Sequence, residues 1–180
     1  MRNNDLSGDI PTEICLLKEL EVLKFADNQL NRTIPPCLGN LQKLEDFFVA
    51  DNLLSGKFPA ECASSFSMRR LVIEENKLTG DPLATFDGMK NLFWLYADRN
   101  GFTGAIGDTF LRSRENLTHL DLSDNNFTLQ DDKELPVHLL KMPKLETLDL
   151  SRNLLEGSIP NDIGEVPLKF LSLHNNKLKG

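Results

Sequence analysis

The chain has 180 residues, 40% apolar and 26% charged, with a formal charge of −7. That length is enough for one sizeable core, and the acidic balance argues against a nucleic-acid partner, whose phosphates call for clustered Lys and Arg. No apolar window approaches the ~20 residues of a membrane span, and no basic run favours an anionic membrane surface.

From the N-terminus, MRNNDLSGDIP lacks the apolar segment of a signal peptide. Its Asn4 opens a series in which an asparagine is followed two residues later by an apolar residue: Asn4, Asn28, Asn52, Asn76, Asn100, Asn125, Asn153 and Asn176, at spacings of 24, 24, 24, 24, 25, 28 and 23. One pattern precedes each of the last seven, as in LEVLKFADN, LEDFFVADN, LFWLYADRN and LETLDLSRN. In it, L-x-x-L-x-L reads as a short strand whose leucine-type residues face inward. One unit cannot bury that face alone, so neighbours stack and their strands form a parallel sheet on the inside of an arc. Segments such as TEICLLKEL and PPCLGNLQKL return along the outside. The repeated asparagine stands where the chain leaves the sheet, and its amide can satisfy turn backbone groups that would otherwise be buried unpaired. The asparagines are therefore structural.

Cys15, Cys37 and Cys62 are odd in number, far apart and fit no metal-binding spacing. They read as three small buried or half-buried thiols rather than as a disulfide or a ligand set.

Most units continue as N-x-L-x-G-x-I-P, as in Leu6–Gly8–Ile10–Pro11, Leu54–Gly56–Phe58–Pro59 and Leu155–Gly157–Ile159–Pro160. With LDLSDN and LDLSRN, these residues resemble the plant-type leucine-rich repeat found in ectodomains of receptor-like kinases and receptor-like proteins, and in polygalacturonase-inhibiting proteins. The resemblance covers essentially the whole chain. It implies an α/β repeat solenoid: a right-handed superhelix with a parallel inner β-sheet, a second small sheet at L-x-G-x-I, and short helical or 3-10 outer segments. The chain is expected to be a single array over 1–180 of about seven and a half repeats, entered and left in mid-repeat as in a fragment of a longer protein, and it lacks the family's paired-cysteine cap.

Several units depart from the motif. Arg32 replaces the glycine in LNRTIPP, while GDPLATF and GAIGDTF have no proline after the apolar position. The unit from Asn125 is four residues longer than the modal one, with Leu135, Leu139, Leu140 and Met142 at helical spacing. A short outer helix and a local break in the second sheet are expected there.

Alternation places three columns on the concave face. Six residues before the asparagines stand Val22, Asp46, Arg70, Trp94, His119, Thr147 and Phe170; four before, Lys24, Phe48, Val72, Tyr96, Asp121, Asp149 and Ser172; two before, Ala26, Ala50, Glu74, Asp98, Ser123, Ser151 and His174. Asp and Ser in the last two columns are the family's background. Phe48, Val72, Trp94 and Tyr96 depart from it and form an exposed apolar patch, rimmed by Asp46, Arg70, Glu74, Asp98 and His119. An apolar centre with a charged edge has the composition of a protein contact. Phe48, Val72, Trp94 and Tyr96 are accordingly the expected anchors, with Arg70, Asp98 and His119 orienting the ligand.

Catalysis is not expected. His119, Asp121 and Ser123 share a strand face, but alternate strand residues lie ~6.5 Å apart, too far for a positioned relay. Asp27, Asp51, Glu75 and Asp124 lack the cadence of a calcium loop and read as a solvated edge. His138 has no nameable partner. No cofactor or metal is expected. The sequons at Asn31, Asn116 and Asn126 fall where the repeat predicts exposure, and are candidate glycosylation sites. Their number is close to what sixteen asparagines and nineteen Ser/Thr give by chance. The expected function is recognition of a protein or peptide by a cell-surface or extracellular receptor-like module, with a secreted glycosidase inhibitor and an intracellular scaffold as alternatives.

Overall fold

The computed structural model describes residues 4–65, 67–107, 110, 115–132, 134–136, 142–161 and 168–179. In chain order the strands are β1 (Ser7–Gly8), β2 (Val22–Lys24), β3 (Gln29–Arg32), β4 (Asp46–Phe48), β5 (Leu53–Lys57), β6 (Arg70–Val72) and β7 (Lys77–Gly80). They continue as β8 (Trp94–Tyr96), β9 (Gly101–Ile106), β10 (His119–Asp121), β11 (Asn126–Leu129), β12 (Thr147–Asp149), β13 (Glu156–Ser158), β14 (Phe170–Ser172) and β15 (Lys177–Lys179).

Seven of these strands pair in parallel as the inner sheet, in the order β14-β12-β10-β8-β6-β4-β2. The register follows the repeat: Val22 aligns with Asp46, Asp46 with Arg70, Arg70 with Trp94, and Trp94 with His119. The middle residue of each strand points inward, so Leu23, Phe47, Leu71, Leu95, Leu120 and Leu148 form one buried column. The L-x-G-x-I segments make the second sheet, ordered β1-β3-β5-β7-β9-β11, with β13 and β15 paired separately. The expected break thus falls after β11, in the long unit. Leu135 and Met142 of that unit are buried; the expected outer helix, with Leu139, Leu140 and His138, lies outside the described residues.

Along the outside run 3-10 turns at Thr12–Leu16, Pro36–Asn40 and Ala60–Ser64. An α-helix, α1 (Leu83–Gly88), takes their place where GDPLATF moves the proline forward to Pro82. These returns pack closely. A Cβ on Gly39 or Gly88 would come within 2.4 Å of a backbone carbonyl in the preceding or following turn. Phe58, Phe86, Phe102 and Phe127 stack along the core at centroid distances of 5.4, 6.1 and 6.5 Å, tying returns to second-sheet strands.

Each repeat asparagine performs two jobs. At Asn125, Nδ2 donates to the carbonyls of Leu122 and Ser123 in its own turn and to that of Ala97 in the preceding repeat, while Oδ1 accepts from the N–H of Phe102, 2.9 Å away. Asn52, Asn76, Asn100, Asn153 and Asn176 repeat this pattern. The residue before each asparagine is held in the left-handed region, from Asp27 (φ 58°) through Glu75 (49°) and Arg99 (49°) to Asn175 (53°). That explains the acidic residues read as a solvated edge: they occupy turn positions that short polar side chains tolerate best. Arg32, standing in for the motif glycine, takes the same backbone (φ 63°) as Gly8, Gly56 and Gly80.

The reading of the cysteines as three thiols is corrected. Cys15 and Cys37 form a disulfide across neighbouring outer turns, with Cα atoms 5.9 Å apart, and Cys62 alone is free and buried. Burial pushes the Cys62 thiol up to about 12. The pairing is possible because one repeat of stacking brings sequence-distant outer turns side by side.

Asn125→Ala should destabilise the chain by about 3 kcal/mol or more, since several buried backbone groups lose partners at about 1–3 kcal/mol each. Urea denaturation followed by circular dichroism checks this; a loss under about 1 kcal/mol would mean that water takes over the amide's role.

Candidate functional site

The three predicted columns do lie on one face of the inner sheet, yet the face is less open than expected. Leu95 and Ala97 are buried beneath β8, while Trp94 and Tyr96 on the opposite side are half-buried. Phe48 and Val72 are closed off more fully, at 8% and 9% exposure, in a small cluster with Ala26, Ala50 and Tyr96. Their expected exposure is therefore corrected. Lys24 Nζ lies 4.9 Å above the Phe48 ring, and the Arg70 guanidinium lies 5.8 Å from that ring and 5.6 Å from Trp94. Long side chains of neighbouring strands thus cover the patch that the repeat pattern leaves bare.

The rim is also corrected. Asp46 is 2% exposed and accepts from both Nε and Nη2 of Arg70, the first at 2.6 Å. This fork holds the guanidinium between two rings, and the carboxylate raises the Arg70 pKa. Asp98 is 3% exposed, and its Oδ2 accepts from Arg99 Nε at 2.9 Å. Its Oδ1 has no partner among the described residues, nor has the indole Nε1 of Trp94, though both atoms are buried. His119 stacks edge-on to Trp94 at 5.7 Å, and its Nδ1 meets Thr118 Oγ1 at 2.7 Å. Asp121 accepts instead from the backbone N–H of Ser123. His119, Asp121 and Ser123 therefore form no relay.

What remains open is a hollow of about 330 Å³ lined by Ala26, Phe48, Val72, Glu74, Trp94 and Tyr96 among others. A second hollow, about 250 Å³, lies on the other side of Trp94 among Asp46, Arg70 and Phe93. Trp94 borders both. The structure thus joins Phe48, Val72, Trp94 and Tyr96 as expected, and adds a residue that sequence reasoning passed over.

That residue is Asp121, read as family background. Burial, and then the charges of Asp98 and Asp149, push its carboxyl up to about 6 against the hydrogen bonds from Ser123. Glu74 is pushed up to about 7 by burial first, then by the charge of Asp98 and a hydrogen bond to it. Burial likewise raises the Tyr96 hydroxyl. The signal available in sequence was the stacking of three acids on adjacent strands.

Of the sequons, Asn116 and Asn126 are exposed, whereas Asn31 is half-buried in β3, against expectation. Among the described residues no helix is long and apolar enough to cross a membrane.

Comparison with known proteins agrees with this architecture. The Leucine Rich Repeat family model matches residues 19–41, 116–139 and 144–166. Receptor-like protein 39 of Arabidopsis thaliana is 34% identical over 108 residues, covering 57% of this chain and 12% of that protein. The Arabidopsis receptor kinase HAESA, solved in complex with the peptide hormone IDA and the co-receptor SERK1, superposes with a TM-score of 0.87 at 32% identity, over 99% of this chain and 30% of that one. The PEPR1–AtPEP1 structure gives 0.88 at 30% identity, over 97% and 25%. The chain therefore spans about an eighth of the curated relative and under a third of these solved chains.

Because folded Glu74 keeps its proton to about pH 7 and its ordinary value is 4.5, its contribution to stability is full below pH 4.5 and is lost as pH rises through about 7. Glu74→Gln removes that dependence and leaves an amide able to donate to Asp98 Oδ1. The melting temperature of the variant should gain on the wild type between pH 5 and pH 8; an offset that is the same at both values would show that Glu74 titrates ordinarily.

Proposed function

We propose that this chain, a leucine-rich repeat protein of the plant type, is a non-catalytic recognition module of a receptor-like ectodomain that binds a peptide or protein ligand on its concave face. The hollow bounded by Trp94 and Tyr96 on the inner sheet carries the proposal. Two half-buried aromatics at the edge of an apolar floor supply the kind of contact that dominates binding energy. The strands that present them are already ordered by the stack, so little entropy is lost on binding. The peptide-hormone complexes of HAESA and PEPR1 support a ligand of the same class.

The burial of Phe48 and Val72 shifts their role toward shaping the floor, with Trp94 and Tyr96 as the touching groups. Arg70 orients the ligand through its fixed position between rings, and His119 and Asp98 close the far side. The Cys15–Cys37 disulfide supports an extracellular or cell-surface setting, since such bonds persist in oxidising compartments. It weighs against an intracellular scaffold. Exposed Asn116 and Asn126 are the sequons best placed to carry glycans in that setting.

The test uses peptides selected on the chain from a random display library and then synthesised. Trp94→Ala combined with Tyr96→Ala should weaken the selected peptides at least tenfold in calorimetry, with circular dichroism and melting close to wild type. Unchanged affinity would remove the concave face as the binding surface. Unfolding of the double variant would assign both rings to the scaffold.

A further inference from the structure

The concave face changes character along the array. Around Phe48 and Val72 it is apolar and topped by the cations Lys24 and Arg70. One strand beyond Tyr96 it is acidic. Glu74, Asp98 and Asp121 stand on three adjacent strands or the turns that leave them, and Asp121 aligns with Tyr96 on one side and Asp149 on the other. Resting on the reading of this face as a ligand surface, we propose that Glu74, Asp98 and Asp121 with Tyr96 form a subsite for one organic cation, the guanidinium or ammonium of a basic side chain in a peptide or protein ligand.

Three acids together would not suffice, because acidic clusters are usually solvated. Here Asp98 is buried, its Oδ2 is used by Arg99, and its Oδ1 is left with no donor among the described residues. Glu74 lines the hollow and is within hydrogen-bonding reach of Asp98. A buried carboxylate oxygen without a donor costs about 1–3 kcal/mol or more, so the site gains from any group that brings an N–H to it. A proton on Glu74 can fill that need, as can a cation entering from the hollow. Tyr96 and Trp94 wall the same hollow, where aromatic faces favour a cation. A metal ion fits less well: among the described residues no group of His, Cys, Asp and Glu is arranged to hold one.

The local charge balance favours a cation. Facing the subsite are Glu74 and Glu75 beyond β6, Tyr96, Asp98 and Arg99 of the next repeat, His119 and Asp121 of β10, and Asp149 of β12. Asp51, whose carboxyl is raised first by a hydrogen bond with Glu75, flanks it. Arg99 is the one fixed cation named here, and it is shared between Asp98 and Glu75. Above about pH 7 Glu74 and Asp121 are both ionised; below about pH 6 each carries a proton, and Glu74 donates to Asp98. A cation and a proton therefore compete for the same oxygens.

Carboxyl-detected carbon NMR of the full chain tests this, with N-acetylarginine methylamide as the probe and N-acetylglutamine methylamide as control. At pH 7.5 the arginine probe should shift the Glu74 and Asp121 carboxyls saturably. At pH 5 the shift should fall at least fivefold, and in Glu74→Gln the Asp121 response should fall as far. Equal shifts from the glutamine probe, no shift from the arginine probe, or a response to calcium alone would each overturn the proposal. Failure here is separable from failure of the recognition reading. Library peptides that need Trp94 and Tyr96 but carry no Arg or Lys would sink the cation subsite and spare the face. An arginine response at Glu74, with peptide binding indifferent to Trp94 and Tyr96, would do the reverse.

Discussion

A chain that leaves a parallel sheet every 24 residues or so must turn inside its own core, and a turn there strands backbone N–H and C=O groups away from water. The asparagine amide removes that difficulty. It offers two donors and an acceptor in one short, planar group, and the structure uses them across two repeats at once. Because each amide reaches back to the preceding unit, a turn is satisfied only when its neighbour is stacked in register. Folding and stacking are thus one event, and the alignment of Val22, Asp46, Arg70, Trp94 and His119 follows from it. The flat columns on which any ligand contact depends are a by-product of this internal requirement.

Much of this was legible in the sequence. The seven inner strands begin where L-x-x-L-x-L places them, and the second sheet breaks in the one unit that loses L-x-G-x-I. Period and alternation report directions, and directions are what a repeat specifies. They do not report how far a long side chain on one strand reaches over the next. Lys24 and Arg70 lean across Phe48, so a residue assigned correctly to the concave side is nevertheless covered. Asp46 and Asp98 were read as rim charges for the same reason, and each is buried against an arginine of a neighbouring position. The disulfide escaped because 22 residues looks distant along a chain but is one step across a solenoid. A separation close to one period, with both cysteines in outer segments, was the available sign.

The candidate site draws on both kinds of information. Its aromatic part follows from composition at known positions, since Trp94 and Tyr96 break a column otherwise filled by small and polar residues. Its acidic part depends on burial. Asp121 has the family's commonest residue at its position, and only the company of Asp98 and Glu74 in a partly dehydrated setting distinguishes it from Asp149. An ordinary residue in an unusual neighbourhood is invisible to a reading that looks for departures from a consensus.

The left-handed residue before each asparagine has a consequence for variation. Its backbone shape is fixed by the turn, but its side chain points away from the core, and Asp, Glu, Arg and Asn all occur there. β-branched residues are disfavoured by sterics, while charge is almost unconstrained. These positions run in file along one edge of the array, from Asp27 to Asn175. Some already interlock between neighbours, as Arg99 does with Glu75 and Arg152 with Asp124. The edge can therefore be recoded one repeat at a time, in sign and in pairing, by single substitutions that leave the sheet untouched. It gives the lineage a strip of surface on which new specificities can be tried at little risk to the fold.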